Sequence, residues 1–431
     1  MTRSLGPYEL NQVHLGRSPE CLKAIPDGTV HTCITSPPYW GLRNYNAEGQ
    51  TGQEPHPEMY IQHLIEVFRE VRRILHPMGT LWLNLGDCFA TKPMGSSNTH
   101  DPKWPKGRDR SEGFRCGRTN RPADIGMKHK DLVMIPAQVA LALRGDGWYL
   151  RQQIPWLKRN AMPEPAADRP SSAVEYVYLL SKEEKYYFDM EAIKVKAGGT
   201  EWPGIGPKHG GERDRGEKYK AMEGGAKRNR RNADWFFESW QGLWIEDDEP
   251  IAFVVNPKAC SDAHFATFPS KLIEPMILAG TSEKGCCAKC GAPWGRRVDS
   301  RGEAKQKNYK GADQHGSDKR RMMRKGQFSC ETTTTGWQPS CNCPGLDGDH
   351  PGSDCADEDN WPTVPCIVLD PFAGTGTTVV TAMALGREGI GFDISEEYVG
   401  QIAKVKVEAA KKGFTTAEVR AGQKSLFEEE A

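Results

Sequence analysis

Apolar density along the chain is uneven, and it outlines α/β pieces separated by long polar stretches. VHTCIT (residues 30–35) is an unbroken run of strand length that ends at Ser36-Pro37-Pro38-Tyr39-Trp40. In MYIQHLIEVFREVRRIL (59–75), Ile61, Leu64, Ile65, Phe68, Val71 and Leu75 recur at helical spacing. Pro77-Met78-Gly79 is predicted to stop that helix, with TLWLNLGD (80–87) as a second strand. DLVMIPAQVALALRGDGW (131–148) reads as a helix and a turn, YLRQQIPWLK (149–158) and EYVYLLSK (175–182) as strands. HFATFPSKLIEPMILAG (264–280) reads as helical beyond its first proline. The last ordered unit, CIVLDPFAGTGTTVVTAMALGREGIGFDIS (366–395), is strand, Gly-rich loop, helix, strand, and IAKVKVEAAKK (402–412) is a helix.

Composition agrees with cores joined by polar loops. The hydrophobic fraction is 37%, mean hydropathy is −0.64, and the chain holds 45 Gly and 30 Pro. Its 431 residues suffice for one large domain with insertions or for two to three ordinary ones. No window supplies the roughly 18 consecutive apolar residues of a membrane helix. The start, MTRSLGPYELNQVHLG, lacks the apolar stretch of a signal peptide. The expectation is therefore a cytoplasmic protein with no membrane partner. In such a compartment the 13 Cys are read as free thiols or metal ligands before disulfides.

Two segments carry chemistry. In Asp370-Pro371-Phe372-Ala373-Gly374-Thr375-Gly376-Thr377-Thr378, Gly374 and Gly376 let the backbone turn tightly at a helix N-terminus and approach a ligand. Asp393 ends the following strand, where a carboxylate can accept hydrogen bonds from two ribose hydroxyls. The spacing is not G-x-G-x-x-G and no Lys follows the loop, which argues against dinucleotide and nucleoside-triphosphate sites. At the other segment, Pro37 and Pro38 fix φ and remove two donors, so nearby carbonyls project from a rigid turn. Ser36 Oγ and the Pro37 carbonyl can both accept from one exocyclic amine, and Tyr39 offers a flat face for a base. Two acceptors would draw a conjugated nitrogen towards sp³ and aim its lone pair at an electrophile.

Taken together, the segments resemble the amino-methylating DNA methyltransferases. That family's catalytic turn is [DNS]-P-P-[YFW], here Ser36-Pro37-Pro38-Tyr39, and its cofactor loop is D-P-F-x-G-x-G-T-T, here Asp370 to Thr378. The turn precedes the loop, which matches the permuted β order. His264-Phe265-Ala266-Thr267-Phe268-Pro269 resembles the family's segment upstream of the loop. The resemblance implies a doubly wound, Rossmann-like α/β fold. It also implies methyl transfer from S-adenosylmethionine to cytosine N4 or adenine N6 in duplex DNA, with the target base flipped out. Ser36 and Pro37 would hold the amine and Tyr39 would stack the base. Phe372, Gly374, Gly376 and Thr377 would shape the cofactor pocket, with Asp370 towards its charged end and Asp393 on the ribose. Ser in the turn favours cytosine N4, with adenine N6 as the alternative. A cognate restriction endonuclease is an implied partner. One departure stands out: Gly16-Arg17 replaces the family's Gly-Asp, which puts in doubt a carboxylate contact to the cofactor's adenine. Pro365-Cys366 matches the dipeptide of cytosine C5 enzymes, but it opens the cofactor-loop strand, so its thiol is expected to be buried and inert.

Cys287-Ala-Lys-Cys290 and Cys341-Asn-Cys343 supply four thiolates for a structural zinc ion, with Cys286 and Cys355 as substitutes. Charge is balanced, Lys+Arg 57 against Asp+Glu 57, which taken alone argues against a nucleic-acid partner. Its distribution argues the reverse. Basic residues gather in 91–130, 194–231 and 296–327, while Glu246-Asp247-Asp248-Glu249, 347–359 and Glu428-Glu429-Glu430 are acidic. A basic face carrying the cleft is the expectation. The chain divides into 1–90 and 131–192 (catalytic half), 91–130 (basic insertion), 193–255 (target recognition) and 256–284 (cofactor side). Residues 285–360 form the zinc insertion, 361–415 the S-adenosylmethionine half and 416–431 a polar tail. The competing readings are an RNA or protein-glutamine methyltransferase and a non-enzymatic zinc-binding DNA module.

Overall fold

The computed structural model describes residues 3–42, 49–90, 126–158, 168–169, 172, 174–193, 253–254, 268–304, 328–343 and 361–412. Most of the basic runs, the aromatic group 235–244, the acidic segments, Cys355 and residues 264–267 lie outside them.

The strands in chain order are β1 (Ser4–Leu5), β2 (Tyr8–Glu9), β3 (Gln12–Leu15), β4 (Val30–Thr35), β5 (Leu75–Leu85), β6 (Tyr149–Leu157) and β7 (Val174–Ser181). After them come β8 (Phe253–Val254), β9 (Cys286–Cys287), β10 (Gly295–Ala304), β11 (Phe328–Gln338), β12 (Thr363–Val364), β13 (Ile367–Asp370) and β14 (Glu388–Asp393). The helices are α1 (Pro57–Ile74), α2 (Ile135–Gly145), α3 (Ser270–Gly280), α4 (Thr377–Ala384) and α5 (Lys404–Lys411). Eight strands form one sheet in the order β3-β14-β13-β4-β5-β7-β6-β8. Only β7 pairs antiparallel to its neighbours in that sheet. The α/β class and the doubly wound sheet are as expected from the sequence. Among the described residues no helix is long and apolar enough to cross a membrane.

Both faces of the sheet are covered, which is why its central strands read as continuous apolar runs. Period-2 alternation divides their side chains. Cys33, Leu81, Leu83 and Leu369 join Leu64, Phe68 and Val71 of α1 and Leu143 of α2 on one face. Ile34, Trp82 and Val368 join Leu272, Ile273, Met276 and Ile277 of α3 on the other. Pro57 occupies the first turn of α1, where its missing N–H costs nothing.

Three elements depart from the sequence reading. Pro77-Met78-Gly79 lies inside β5, because α1 has already ended at Ile74. The register shifts there from Val30↔Leu75 to Thr32↔Thr80, and this bulge leaves Pro77 without a ladder bond to donate. The helix expected over 402–412 begins as a π-turn at Tyr398–Ala403 and becomes α-helical at Lys404. Within the Cys-rich stretch, β10 and β11 form a long two-stranded ribbon whose Arg- and Thr-rich sequence hid its strand character.

The chain leaves β4 towards β5 and leaves β13 towards β14, in opposite directions across the sheet. Neighbouring parallel strands that part in this way open a crevice at their carboxyl ends, the topological switch point where α/β sheets bind ligands. Ser36 follows β4, and Pro371 and Phe372 follow β13.

Candidate active site at the switch point

One cavity occupies this crevice. Its wall includes Ser36, Pro37, Pro38 and Tyr39 from the turn, Phe372, Gly374 and Thr375 from the loop, and Asp393 from the end of β14. Two segments more than 330 positions apart in sequence thus face one space.

The link between them is a buried carboxylate. Thr35 Oγ1, one residue before the turn, donates to Asp370 Oδ1 at 2.6 Å, and Thr378 Oγ1 donates to Oδ2 at 2.6 Å. The Phe372 N–H adds a third bond to Oδ1 at 3.1 Å. Asp370 is 1% exposed and is not part of the cavity wall, so it ties the loop to the turn from beneath and does not point at a ligand's charged end. Burial pushes its pKa up to about 6, and the hydroxyl donors oppose that rise.

Asp393 stands on the wall. Its Oδ2 accepts the Gly374 N–H and its Oδ1 the Ser395 N–H, both at 2.9 Å, which orders the loops on either side and leaves lone pairs for a ligand. Burial raises its pKa. Gly374 has φ +51°, lines the cavity, and a Cβ built there meets nothing within 4 Å, so the space in front of this backbone is open. Gly376 (φ +77°) plays a different part. It precedes α4 with Val13 and Ala403 packed against it, and neither it nor Thr377 reaches the cavity.

The turn is held equally firmly. Tyr60 Oη donates to Pro38 O at 3.0 Å, and Trp40, 1% exposed, donates its indole N–H to Glu54 O at 2.8 Å. Gly52 (φ +93°) is indispensable here, since a Cβ would lie 3.0 Å from the carbonyl oxygens of Pro38 and Tyr39. Ser36 Oγ donates to Tyr39 Oη at 3.4 Å, which keeps its lone pairs available as acceptors.

Sequence reasoning missed several wall residues. Gln50, Thr51, Ser395 and Tyr398 belong to no motif, and only the fold brings them to the cavity. Arg17, noted for replacing an acidic residue, does line the wall. Its neighbour Ser18 donates to Pro371 O at 3.0 Å.

The cysteine pairs converge at the opposite end of the sheet. Cys287, Cys290, Cys341 and Cys343 bring their Sγ atoms within 4.8 Å of one another. A tetrahedral zinc with Zn–S near 2.3 Å needs sulfurs roughly 3.8 Å apart. Gly291 (φ +76°) closes the first pair, its N–H donating to Cys287 O at 2.8 Å. β9 pairs with β12, directly ahead of Cys366 and β13. His31 Nδ1 accepts the Ile367 N–H at 2.9 Å, so its Nε2 carries the proton and donates to Gly291 O at 2.8 Å. His31 is the second residue of β4 and Ser36 follows its end, so the cysteine cluster sits roughly 16 Å from the turn, five residues at about 3.3 Å each. The base of the β10–β11 ribbon lies at that same far end, where Arg296 pairs with Asp189 and Glu283. The basic run that begins in β10 therefore does not start beside the cleft.

Cys286 and Cys366 also lie within 4.8 Å of a His31 nitrogen. That trio is no metal site, since both imidazole nitrogens are already engaged. Cys366 is fully buried at the root of β13, as its place in the sequence suggested.

A doubly wound sheet whose Ser36–Tyr39 turn and Gly-rich loop face one cavity at the switch point fits an α/β methyltransferase. The sequence model of the N6/N4 DNA methylases matches residues 30–288 and 366–404, and the chain belongs to this family. It is 36% identical over 277 residues to the type II methyltransferase M.Cfr9I of Citrobacter freundii, covering 64% of this chain and 75% of that one. To M.SmaI of Serratia marcescens it is 35% identical over 274 residues, covering 64% and 76%. The PvuII cytosine-N4-specific DNA methyltransferase overlays with a TM-score of 0.46 at 14% identity, covering 97% of this chain and 92% of that one. The protein is thus a DNA methyltransferase, and S-adenosylmethionine is its family's methyl donor.

Proposed function

We propose that the protein methylates an exocyclic amine, cytosine N4, at a specific sequence in double-stranded DNA. The observation that carries this reading is the single cavity shared by the Ser36–Tyr39 turn and the Phe372–Asp393 wall. S-adenosylmethionine, when bound, supplies a methyl group on a positively charged sulfur. Gly374 gives it room, Phe372 shapes the pocket, and Asp393 retains lone pairs for ribose hydroxyls.

Ser36 Oγ and the Pro37 carbonyl accept the two amine protons. This localises the nitrogen's lone pair and turns it towards the cavity. Among the described residues Tyr60 engages the neighbouring Pro38 carbonyl but not that of Pro37. Tyr39 stacks the base, which must leave the duplex at a cost of a few kcal/mol. No covalent nucleophile is required, in keeping with the burial of Cys366. Asp370 acts from beneath, holding turn and loop in register. Serine in the turn favours cytosine N4 over adenine N6. Target recognition is assigned to 193–255, and a restriction endonuclease and a cytoplasmic setting complete the reading.

Labelled methyl transfer to unmethylated genomic DNA and to RNA, followed by mass analysis of the nucleosides, tests it. N4-methylcytosine in DNA is expected. N6-methyladenine would move the assignment to the other amine, and label in RNA alone would overturn it.

A structural zinc ion at Cys287, Cys290, Cys341 and Cys343 forms part of the same proposal, supported by the convergence of four thiols in otherwise polar sequence. Its distance from the turn gives it a folding role. Purified protein should contain about one zinc per chain, and a folded, active, metal-free preparation would dismiss it.

A further inference from the structure

Tyr39 is held by groups that lie outside both motifs. Its hydroxyl donates to Glu175 Oε2 at 2.7 Å, and Asn84 Nδ2 donates to the same oxygen at 3.2 Å. Lys158 Nζ pairs with the other oxygen, Oε1. Lys158 is itself located, its ammonium 4.5 Å from the centroid of the Trp156 ring. Behind the ring stands backbone: a Cβ at Gly86 would lie 2.5 Å from Tyr39 Cε2. The ring is therefore braced on one side by Gly86 and anchored at its tip by a carboxylate that has its own two supports.

These supports come from three strands. Glu175 stands near the start of β7, Asn84 near the end of β5, and Lys158 directly after β6. The antiparallel pairing of β7 with both others brings them to the carboxyl end of β4. None of the three is part of the cavity wall. A carboxylate fixed by a lysine and an amide, but directed at the hydroxyl of Tyr39, has a geometric task there.

We propose that Glu175 is a positioning residue for methyl transfer. By holding the Tyr39 hydroxyl it fixes the plane against which the target base stacks. The inference rests on the reading of Tyr39 as the base platform. A tyrosine has several side-chain rotamers, and a hydrogen bond at its tip adds to the Gly86 brace in selecting one orientation before the base arrives. Preorganisation of this kind is read in the rate of transfer and not in cofactor affinity.

The test compares Y39F, E175A, E175Q and the double variant E175A/Y39F. Single-turnover methylation of unmethylated genomic DNA, calorimetric affinity for S-adenosylmethionine and thermal melting are measured for each. Y39F and E175A should each slow transfer about ten-fold while the affinity stays within about two-fold of the parent. E175Q retains an acceptor oxygen and should recover most of the rate. The double variant should be no slower than the slower single variant, because the bond that the two substitutions share is the one between Tyr39 and Glu175.

Parent-like transfer by Y39F, or multiplicative losses in the double variant, would overturn the proposal. Y39F leaves the Glu175–Lys158 pair intact, so it carries the test if E175A does not fold. Tyr39→Ala separates the two readings. If it transfers at the parental rate, the platform itself is wrong; if it is slow while E175A is not, only the role of Glu175 fails.

Discussion

Replacing Thr35 by Val deletes one hydroxyl and keeps the shape of a fully buried side chain. That hydroxyl donates at 2.6 Å to Asp370, the carboxylate joining the turn to the loop. A hydrogen bond to a buried charge is worth about 1.5–3 kcal/mol, whereas one to a neutral acceptor is worth about 1 kcal/mol. The deficit in Thr35→Val should therefore depend on pH. Burial raises the Asp370 pKa to about 6, so at pH 8 the acceptor is charged and the whole deficit appears. With about 2–4 °C per kcal/mol, the figure for large domains, melting should fall by about 3–12 °C. At pH 5 the acid is mostly protonated and the deficit should shrink to about 1 kcal/mol. The parent carries the linked signature. A folded pKa of about 6 against an ordinary value near 4 means that the native state holds the proton more tightly. Between those pH values stability falls as pH rises, by up to about 3 kcal/mol from this group. Displacement of the loop should also weaken S-adenosylmethionine binding about ten-fold, equivalent to about 1.4 kcal/mol. Scanning fluorimetry from pH 5 to 8 and titration calorimetry are the assays. A melting deficit that does not change with pH, together with parental affinity, would refute the role given to Asp370.

Gly374→Val places a branched side chain at φ +51° in the cavity and should abolish S-adenosylmethionine binding; unchanged calorimetric affinity would remove the loop from the site. Ser36→Ala should abolish methyl transfer and leave cofactor binding within about two-fold, roughly 0.4 kcal/mol; joint loss of both would contradict its assignment as an amine acceptor. His31→Leu strands the Ile367 N–H and the Gly291 carbonyl, at about 1–3 kcal/mol each, so chemical denaturation should register a loss of about 2–6 kcal/mol. A loss below about 0.5 kcal/mol, the range of ordinary surface substitutions, would mean that those groups find other partners.

Much of the fold was legible because its signals are local. The apolar run of β4, the helical spacing in α1 and the strand–loop–helix–strand of 366–395 each express one backbone period. The Ser36–Tyr39 turn and the Asp370–Thr378 loop were legible because rigid prolines and small glycines are chemical requirements written in consecutive residues. Long-range partnership leaves no such trace. Nothing local in EYVYLLSK marks Glu175 as the partner of Tyr39, 136 positions away. Asp370 was read as facing a ligand because its neighbours do. Only the packing of β4 against β13 shows it beneath the cavity, saturated by hydroxyls from two elements. The β10–β11 ribbon escaped notice because its stability comes from cross-strand pairing and not from apolar alternation.

The sequence by itself determined the chemical parts: an acceptor turn, a Gly-rich loop with its distal carboxylate, and four cysteines in two pairs. Tertiary structure decided their relations. It placed turn and loop in one cavity, because strands that part in opposite directions must leave a crevice between them. It placed the four cysteines together at the other end of the same strands. The balanced net charge with which the chain presents itself remains a sum, and where it falls in space is a property of the fold.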